Sequence, residues 1–357
     1  MLRIHGAKLA TYNMDTGPLG FLELREFIAG KLRAQRGIEA HPDEILITSG
    51  SLQGMDLINE LMIQPGDTVL VEEHSYGGAI SRLNQIGAKT VAMPLDHQGI
   101  RTDSLASILD RLKGKGTKPK HIYTIPTIQN PTASIMPIER RHQLLKLSNA
   151  FGVPIYEDEC YADLLWAGDW PPAIRAFDDG NQVIHIGSFS KNLAPALRLG
   201  YVTAAPDIIG RLVALKNDGG TPAIEQMVVA DFFRQHFDDH IDRLRETLER
   251  KRNILIHALE EQFGTSAEFA RANGGIFQWV RLPDAVDTSE LAKAASEEGI
   301  AINPGREWSV EPESGKHWLR ICFANPSEQQ LVEGIAKLAT ICHREFGVPA
   351  RSGNIQR

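Results

Sequence analysis

The sequence predicts an α/β protein: a large domain with a mainly parallel seven-stranded sheet between helical layers, and a smaller α/β C-terminal domain. Three observations carry this. Short apolar runs alternate with segments of helical spacing up to about residue 205, charge-rich helical sequence continues to about 262, and a second alternation runs from about 268 to 345.

The strand candidates in order are ILIT (45–48), TVLVE (68–72), KTVAM (89–93), HIYTI (121–125), VPIYE (153–157), VIHIG (183–187) and GYVTA (200–204). Several hold continuous apolar runs, as expected for strands covered on both faces. Helical spacing falls near 52–63, 76–87, 103–113 and 137–150; in the first, Leu52, Met55, Ile58, Leu61 and Met62 share one face. Asp103 is the expected N-cap of the third. The large domain is expected at 41–245, and the smaller one combines 1–40 with 246–357. The tail GVPARSGNIQR has few apolar residues and is expected to fray.

With 357 residues, 42% hydrophobic and 23% charged, the chain has enough apolar material for more than one core. The net charge of -7 favours solubility and argues against a nucleic-acid surface. Cys160, Cys322 and Cys342 cannot all pair and lack metal-site spacing, which suits a reducing cytoplasm. No apolar run approaches the roughly 20 residues that cross a bilayer, and the opening MLRIHGAKLATYN has no secretory pattern.

Ligands of open α/β sheets sit beyond the carboxyl ends of the strands, so the residues ending each strand are the informative ones. ITSGSLQGMDLI (47–58) reads strand, turn, helix. Ser51 and the amides of Leu52 and Gln53 open that helix as an anion site, or Ser51 is a plain N-cap. IGSFSKNLAPALRLGY (186–201) delivers Ser188, Ser190 and Lys191 to one edge, with Arg198 beyond. A lysine there forms an imine with an aldehyde cofactor while Arg198 and Ser188 hold its phosphate, or it is a loop lysine in water. IYEDECYADL (155–164) places Glu157, Asp158 and Glu159 at a strand end with Tyr161 behind. One buried carboxylate facing a pyridine nitrogen would keep it protonated; the alternatives are metal ligation or a solvated acidic turn, and no histidine nearby in sequence supports the metal. Asn130 in IPTIQNPTAS offers a hydrogen bond to a phenolate oxygen or simply makes an Asn-Pro turn. Tyr76 offers a ring face to a planar cofactor or joins the core.

In order, these pieces read Y…G.LG…LRE..A, TSGS, EEHSY, QNPT, YEDECYADL, GSFSK..AP.LRLGY, NGGIF.WV, NPG and LRICFA, from Tyr12 to about Ala339. The set resembles the pyridoxal-phosphate (PLP) aminotransferases of fold type I, class I/II. Within them it is most similar to the branch of 2-aminoadipate and kynurenine aminotransferases and MocR-type effector domains. The resemblance implies an aspartate-aminotransferase-like fold and an amino transfer between an α-amino acid and a 2-oxo acid. It further implies a Schiff base on Lys191, which also moves the proton, Asp158 on the pyridine nitrogen, and Asn130 and Tyr161 on the phenolate oxygen. Tyr76 is implied to stack on the ring, and Ser51, the Leu52 amide, Ser188, Ser190 and Arg198 to form the phosphate cup. Arg320 is implied to bind the substrate carboxylate, with Asn130 beside it. Tyr12 is implied to reach the phosphate of a neighbouring subunit, hence a homodimer.

Departures stand beside the matches. Leu52 replaces a customary Gln, and Ala133 and Ala196 replace glycines that would be free to take φ > 0. His74 and Ser75 replace a Pro-Thr pair. Relatives carry a further stretch before the Tyr12 motif, an arm over the substrate, that is not part of this sequence. Alternatives on the same scaffold are a PLP-dependent lyase, racemase or decarboxylase, and a non-catalytic PLP-sensing effector domain, although no basic helix-turn-helix segment precedes Tyr12 in the sequence.

Overall fold

The computed structural model describes Gly6, Leu9 and residues 14–167 and 170–349. Tyr12 and the tail from residue 350 lie outside the described residues.

All seven strand candidates form one sheet. Its members are β1 (Ile45–Thr48), β2 (Thr68–Glu72), β3 (Lys89–Met93), β6 (Ile122–Thr124), β7 (Ile155–Asp158), β8 (Val183–Ser188) and β9 (Gly200–Thr203). A small ribbon, β4 (Leu95–Asp96) with β5 (Gly99–Ile100), stands apart. The order is β1-β9-β8-β7-β6-β2-β3. Neighbours are parallel except that β9 runs antiparallel to both β1 and β8. Every residue of β2 and β8 is buried, whereas Lys89 at the start of edge strand β3 is exposed.

Two helical layers explain the apolar runs. The first comprises α2 (Ser51–Met62), α3 (Gly77–Ile86) and α6 (Pro206–Leu215), which bring Met55, Ile58, Ile80, Leu83 and Leu212 against Leu46, Val71, Ile186 and Val202. On the other face, α4 (Thr102–Gly114) and α5 (Ile138–Phe151) bring Leu105, Leu109 and Leu144 against Leu70, Ile122, Ile155 and Val183. Each such side chain taken out of water contributes roughly 1.5–3 kcal/mol. A second sheet, of order β10-β12-β11, consists of β10 (Phe277–Arg281), β11 (Asn303–Pro304) and β12 (Trp318–Cys322), all antiparallel. It is covered by α8 (Thr288–Glu297) and α9 (Glu328–Phe346), through Leu291, Ile335 and Leu338.

Three expectations shift. The helix α1 (Leu22–Arg36) was expected with the smaller unit. It buries Leu24, Ile28 and Leu32 in a core shared with Ile45, Ile47 and Tyr201, so residues 21–40 pack on the large sheet. The boundary at 245 falls inside one continuous helix, α7 (Ala223–Gln262). Its Phe233, Phe237 and Ile241 sit in the large core, and Leu248, Leu255 and Leu259 in the small one. Asp103 does not cap α4: Arg101 is the N-cap residue and makes no side-chain cap bond. Asp103 lies in the first helical turn, where a carboxylate meets the positive end of the helix dipole, and it accepts from the Arg101 guanidinium at 2.8 Å.

Candidate active site

The parallel strands all end at one edge, and because β9 runs backwards its first residues reach that edge too. A cavity there is lined by Ser51, Leu52, Tyr76, Asn130, Asp158, Tyr161, Ser188, Ser190, Lys191 and Arg198, together with Met55, Ile125, Cys160 and Pro195. The structure therefore brings together every described residue expected around the cofactor. Lys191 is half-buried, with Nζ 5.8 Å from the centre of the Tyr161 ring. This disposes of the loop lysine in water.

One end of the cavity is a cradle for an anion. Gly50, with φ 78°, is the N-cap of α2 and Ser51 its first residue, with no side-chain cap bond, so Ser51 is not a plain N-cap. Arg198, in the left-handed region at φ 50°, folds back over that turn. A Cβ on Gly50 would lie 2.4 Å from Arg198 Nη2, and one on Gly200 2.6 Å from the Ser51 amide nitrogen. Glycine is required at both positions for this approach. The Ser190 amide donates to Ser188 Oγ at 3.1 Å, closing the other side.

The acidic triplet resolves into three roles. Glu157 accepts from the Ile174 amide at 2.6 Å and pairs with His185 Nδ1 at 2.9 Å. Glu159 is bound by Arg36 at 2.6 Å and Arg141 at 3.3 Å, all three side chains being buried. Only Asp158 faces the cavity, and none of the three is a solvated turn residue. Asp158 Oδ2 accepts from the Tyr123 hydroxyl at 2.8 Å and Oδ1 from the Cys160 amide at 3.1 Å. Burial pushes the Asp158 carboxyl above the usual range, and hydrogen bonds from Cys160 and Tyr123 oppose that shift.

Asn130 is buried between two site residues. Its Nδ2 donates to the Tyr161 hydroxyl at 3.4 Å, and its Oδ1 accepts from Arg320 Nη1 at 3.1 Å. Arg320 Nη2 donates to Asn303 Oδ1 at 2.9 Å. Its guanidinium lies 3.8 Å from the centre of the Trp308 ring, with Phe277 at 5.2 Å. Both of these hydrogen-bond partners are neutral amides, so its charge is available to a carboxylate. Trp308 also faces Tyr76, ring centres 6.1 Å apart, and its carbonyl accepts from the Ser75 amide at 2.8 Å. The sequence reading missed Trp308, Asn303 and Tyr123. Asn303 lies in the NPG motif but carried no role, and the other two have no local signal.

A lysine at the carboxyl edge of a parallel sheet, with one buried carboxylate and an anion cradle at a helix N-terminus, defines a Schiff-base enzyme of the pyridoxal-phosphate class. Residues 10–338 match the family described as aminotransferase class I and II, and the chain belongs to it; it is a PLP-dependent aminotransferase. It is 33% identical to the aromatic-amino-acid aminotransferase 1 of Thermococcus litoralis, over 97% of this chain and 83% of that protein. Among solved structures, the multiple substrate aminotransferase of Thermococcus profundus superposes with a TM-score of 0.90 at 32% identity, covering 97% of this chain and 86% of the other. The alpha-aminoadipate aminotransferase of Thermus thermophilus, solved with N-(5'-phosphopyridoxyl)-L-leucine, superposes with a TM-score of 0.86 at 29% identity, covering 99% and 86%.

Proposed function

We propose that the enzyme moves an amino group between an α-amino acid and a 2-oxo acid, with Lys191 as the lysine that would hold the cofactor and Arg320 anchoring the substrate carboxylate. The observation that carries this reading is the meeting of Lys191, Asp158 and the Arg198 cradle at one sheet edge, with Arg320 opposite. Bound PLP supplies an electron sink for the charge left at Cα when a bond to it breaks.

This chain's residues do the rest. The Ser51 hydroxyl, the Leu52 amide, Ser188, Ser190 and Arg198 would hold the phosphate, and Tyr76 would cover the ring. Asp158 would face the pyridine nitrogen, and Asn130 and Tyr161 would hydrogen-bond the phenolate oxygen. Arg320 and Asn130 would bind and orient the substrate carboxylate. The Lys191 amine would serve as the general base that takes the substrate Cα proton and gives it back. Burial raises the Tyr161 hydroxyl above its ordinary value, which keeps it a donor. Tyr12 belongs to the same proposal, reaching the neighbouring subunit's phosphate in a homodimer; Ile224 and Val228, exposed one turn apart on α7, support a partner surface. Three cysteines without disulfides support a cytoplasmic setting.

The test is borohydride reduction of the PLP-loaded enzyme followed by peptide mapping, then half-reaction spectra with a panel that includes aromatic amino acids and 2-aminoadipate. Label on Lys191 and conversion to the aminated cofactor are expected. Label on a different lysine, or other products without amination, would overturn the reading.

A further inference from the structure

Asp158 is held by more than its own strand. Tyr123 sits on β6 opposite Tyr156 of β7, and its hydroxyl reaches along the neighbouring strand to Asp158 Oδ2 at 2.8 Å. The ring has little freedom: it is 1% exposed and packs edge-on to Tyr156, centres 5.1 Å apart at 72°. Among the described residues the hydroxyl has no other hydrogen-bond partner. With Oδ1 on the Cys160 amide, both carboxylate oxygens are held by protein donors, and Asp158 lines the cavity.

We propose that Tyr123 is a positioning residue for the cofactor: its hydroxyl holds the Asp158 carboxylate in the orientation and the ionised form that a protonated pyridine nitrogen needs. The proposal rests on the assignment of Asp158 to that nitrogen. Of the other groups that act on the Asp158 charge, Cys160 donates to the same carboxylate through its thiol and its amide from the adjoining turn, and Tyr123 is the donor from the neighbouring strand. Glu72 on β2 is a second buried carboxyl, and Tyr76, Tyr156 and Tyr161 are neutral groups that burial keeps protonated. His185 on β8 favours the charged form, but its hydrogen bond goes to Glu157. Losing one donor to a buried carboxylate raises its proton affinity. The variant carboxyl then takes a proton at a pH where the wild-type group is an anion. A neutral Asp158 does not hold a pyridinium.

The experiment titrates PLP into the full chain and into Tyr123→Phe, which removes one oxygen and keeps the ring, across pH values on both sides of neutrality. We expect the variant to bind PLP about tenfold more weakly or worse at the acid end. The loss should shrink as pH rises, with the apparent midpoint displaced upward by about one unit. In an Asp158→Asn background the same substitution should change PLP affinity little, because there is no charge left to support. A purely structural role for Tyr123 would weaken binding equally at every pH and add to Asp158→Asn. That result, or a variant with wild-type affinity throughout, overturns the proposal. Borohydride labelling of Lys191 in the wild-type chain, together with weakened PLP binding by Asp158→Asn alone, separates the two ideas: with both present, failure here concerns Tyr123 alone. A wild-type chain that takes no label overturns this proposal and the site assignment together.

Discussion

Replacing Arg320 by alanine tests the substrate end of the site. The guanidinium presents Nη1 and Nη2 to Asn130 and Asn303 at 3.1 and 2.9 Å, with no acidic partner among the described residues. A substrate carboxylate therefore gains two charge-assisted hydrogen bonds, each of about 1.5–3 kcal/mol. Losing both raises the barrier from free enzyme and substrate by roughly 3–6 kcal/mol, which lowers kcat/KM by about two to four orders of magnitude. Arg320→Lys keeps the charge and one donor but loses the planar fork and its stacking on Trp308, so it should recover only part of the loss. The assay is a single-turnover half-reaction followed by absorbance, run beside a PLP titration of each variant. Cofactor affinity should stay close to wild type, since Arg320 does not line the cofactor cavity. A fall in PLP affinity as large as the fall in kcat/KM would refute the assignment, as would an unchanged kcat/KM.

Other outcomes follow from the same geometry. Glu159→Gln leaves Arg36 and Arg141 buried without their carboxylate and should cost about 3–5 kcal/mol in urea unfolding; a change within error would mean the pair is not the anchor it looks to be. Gly50→Ala places a methyl at φ 78° and 2.4 Å from Arg198 Nη2, so PLP should bind more weakly while pyridoxal, which lacks the phosphate, binds much as before. Stability should rise with pH and level off near pH 7 in the part governed by three groups. Burial raises Glu72 from 4.5 to about 7, so its contribution is lost as pH climbs through that window. Burial also lowers His74 and His121 from 6.5 to about 4, so theirs is lost as pH falls below 6.5. With two histidines against one carboxyl, the net acid slope is that of about one proton, roughly 1.4 kcal/mol per pH unit. Glu72→Gln should steepen this acid limb and His121→Phe should flatten it, in unfolding curves taken across pH.

The strands were legible because a strand covered on both faces carries a continuous apolar run, as Val69–Val71 in TVLVE and Val183–Ile184 in VIHIG do, although each also buries a polar residue, Glu72 and His185. Site residues were legible where they end such strands: Asp158, Lys191 and Asn130 stand at breaks in the apolar pattern. Tyr123 was hidden for the opposite reason, since a tyrosine inside HIYTI reads as one more core residue until its hydroxyl is seen to reach the next strand. Trp308 sits in a loop, and its partners Arg320 and Tyr76 come from distant segments, so no spacing announces it. The placement of α1 was misread because an amphipathic helix states that it has a partner without saying which. Its partners, Tyr201 and Phe233, are remote in the chain.

The backward course of β9 has a mechanical consequence. Lys191 follows the end of β8 and Arg198 precedes the start of β9, so one short excursion of chain carries both the lysine and the arginine proposed to grip the cofactor. The span between those two side chains is set by local backbone. Arg320, by contrast, rides on the other sheet. A cofactor held by Lys191 and Arg198 would therefore be gripped from the large sheet alone, and the hold on the incoming acid would come from the smaller one.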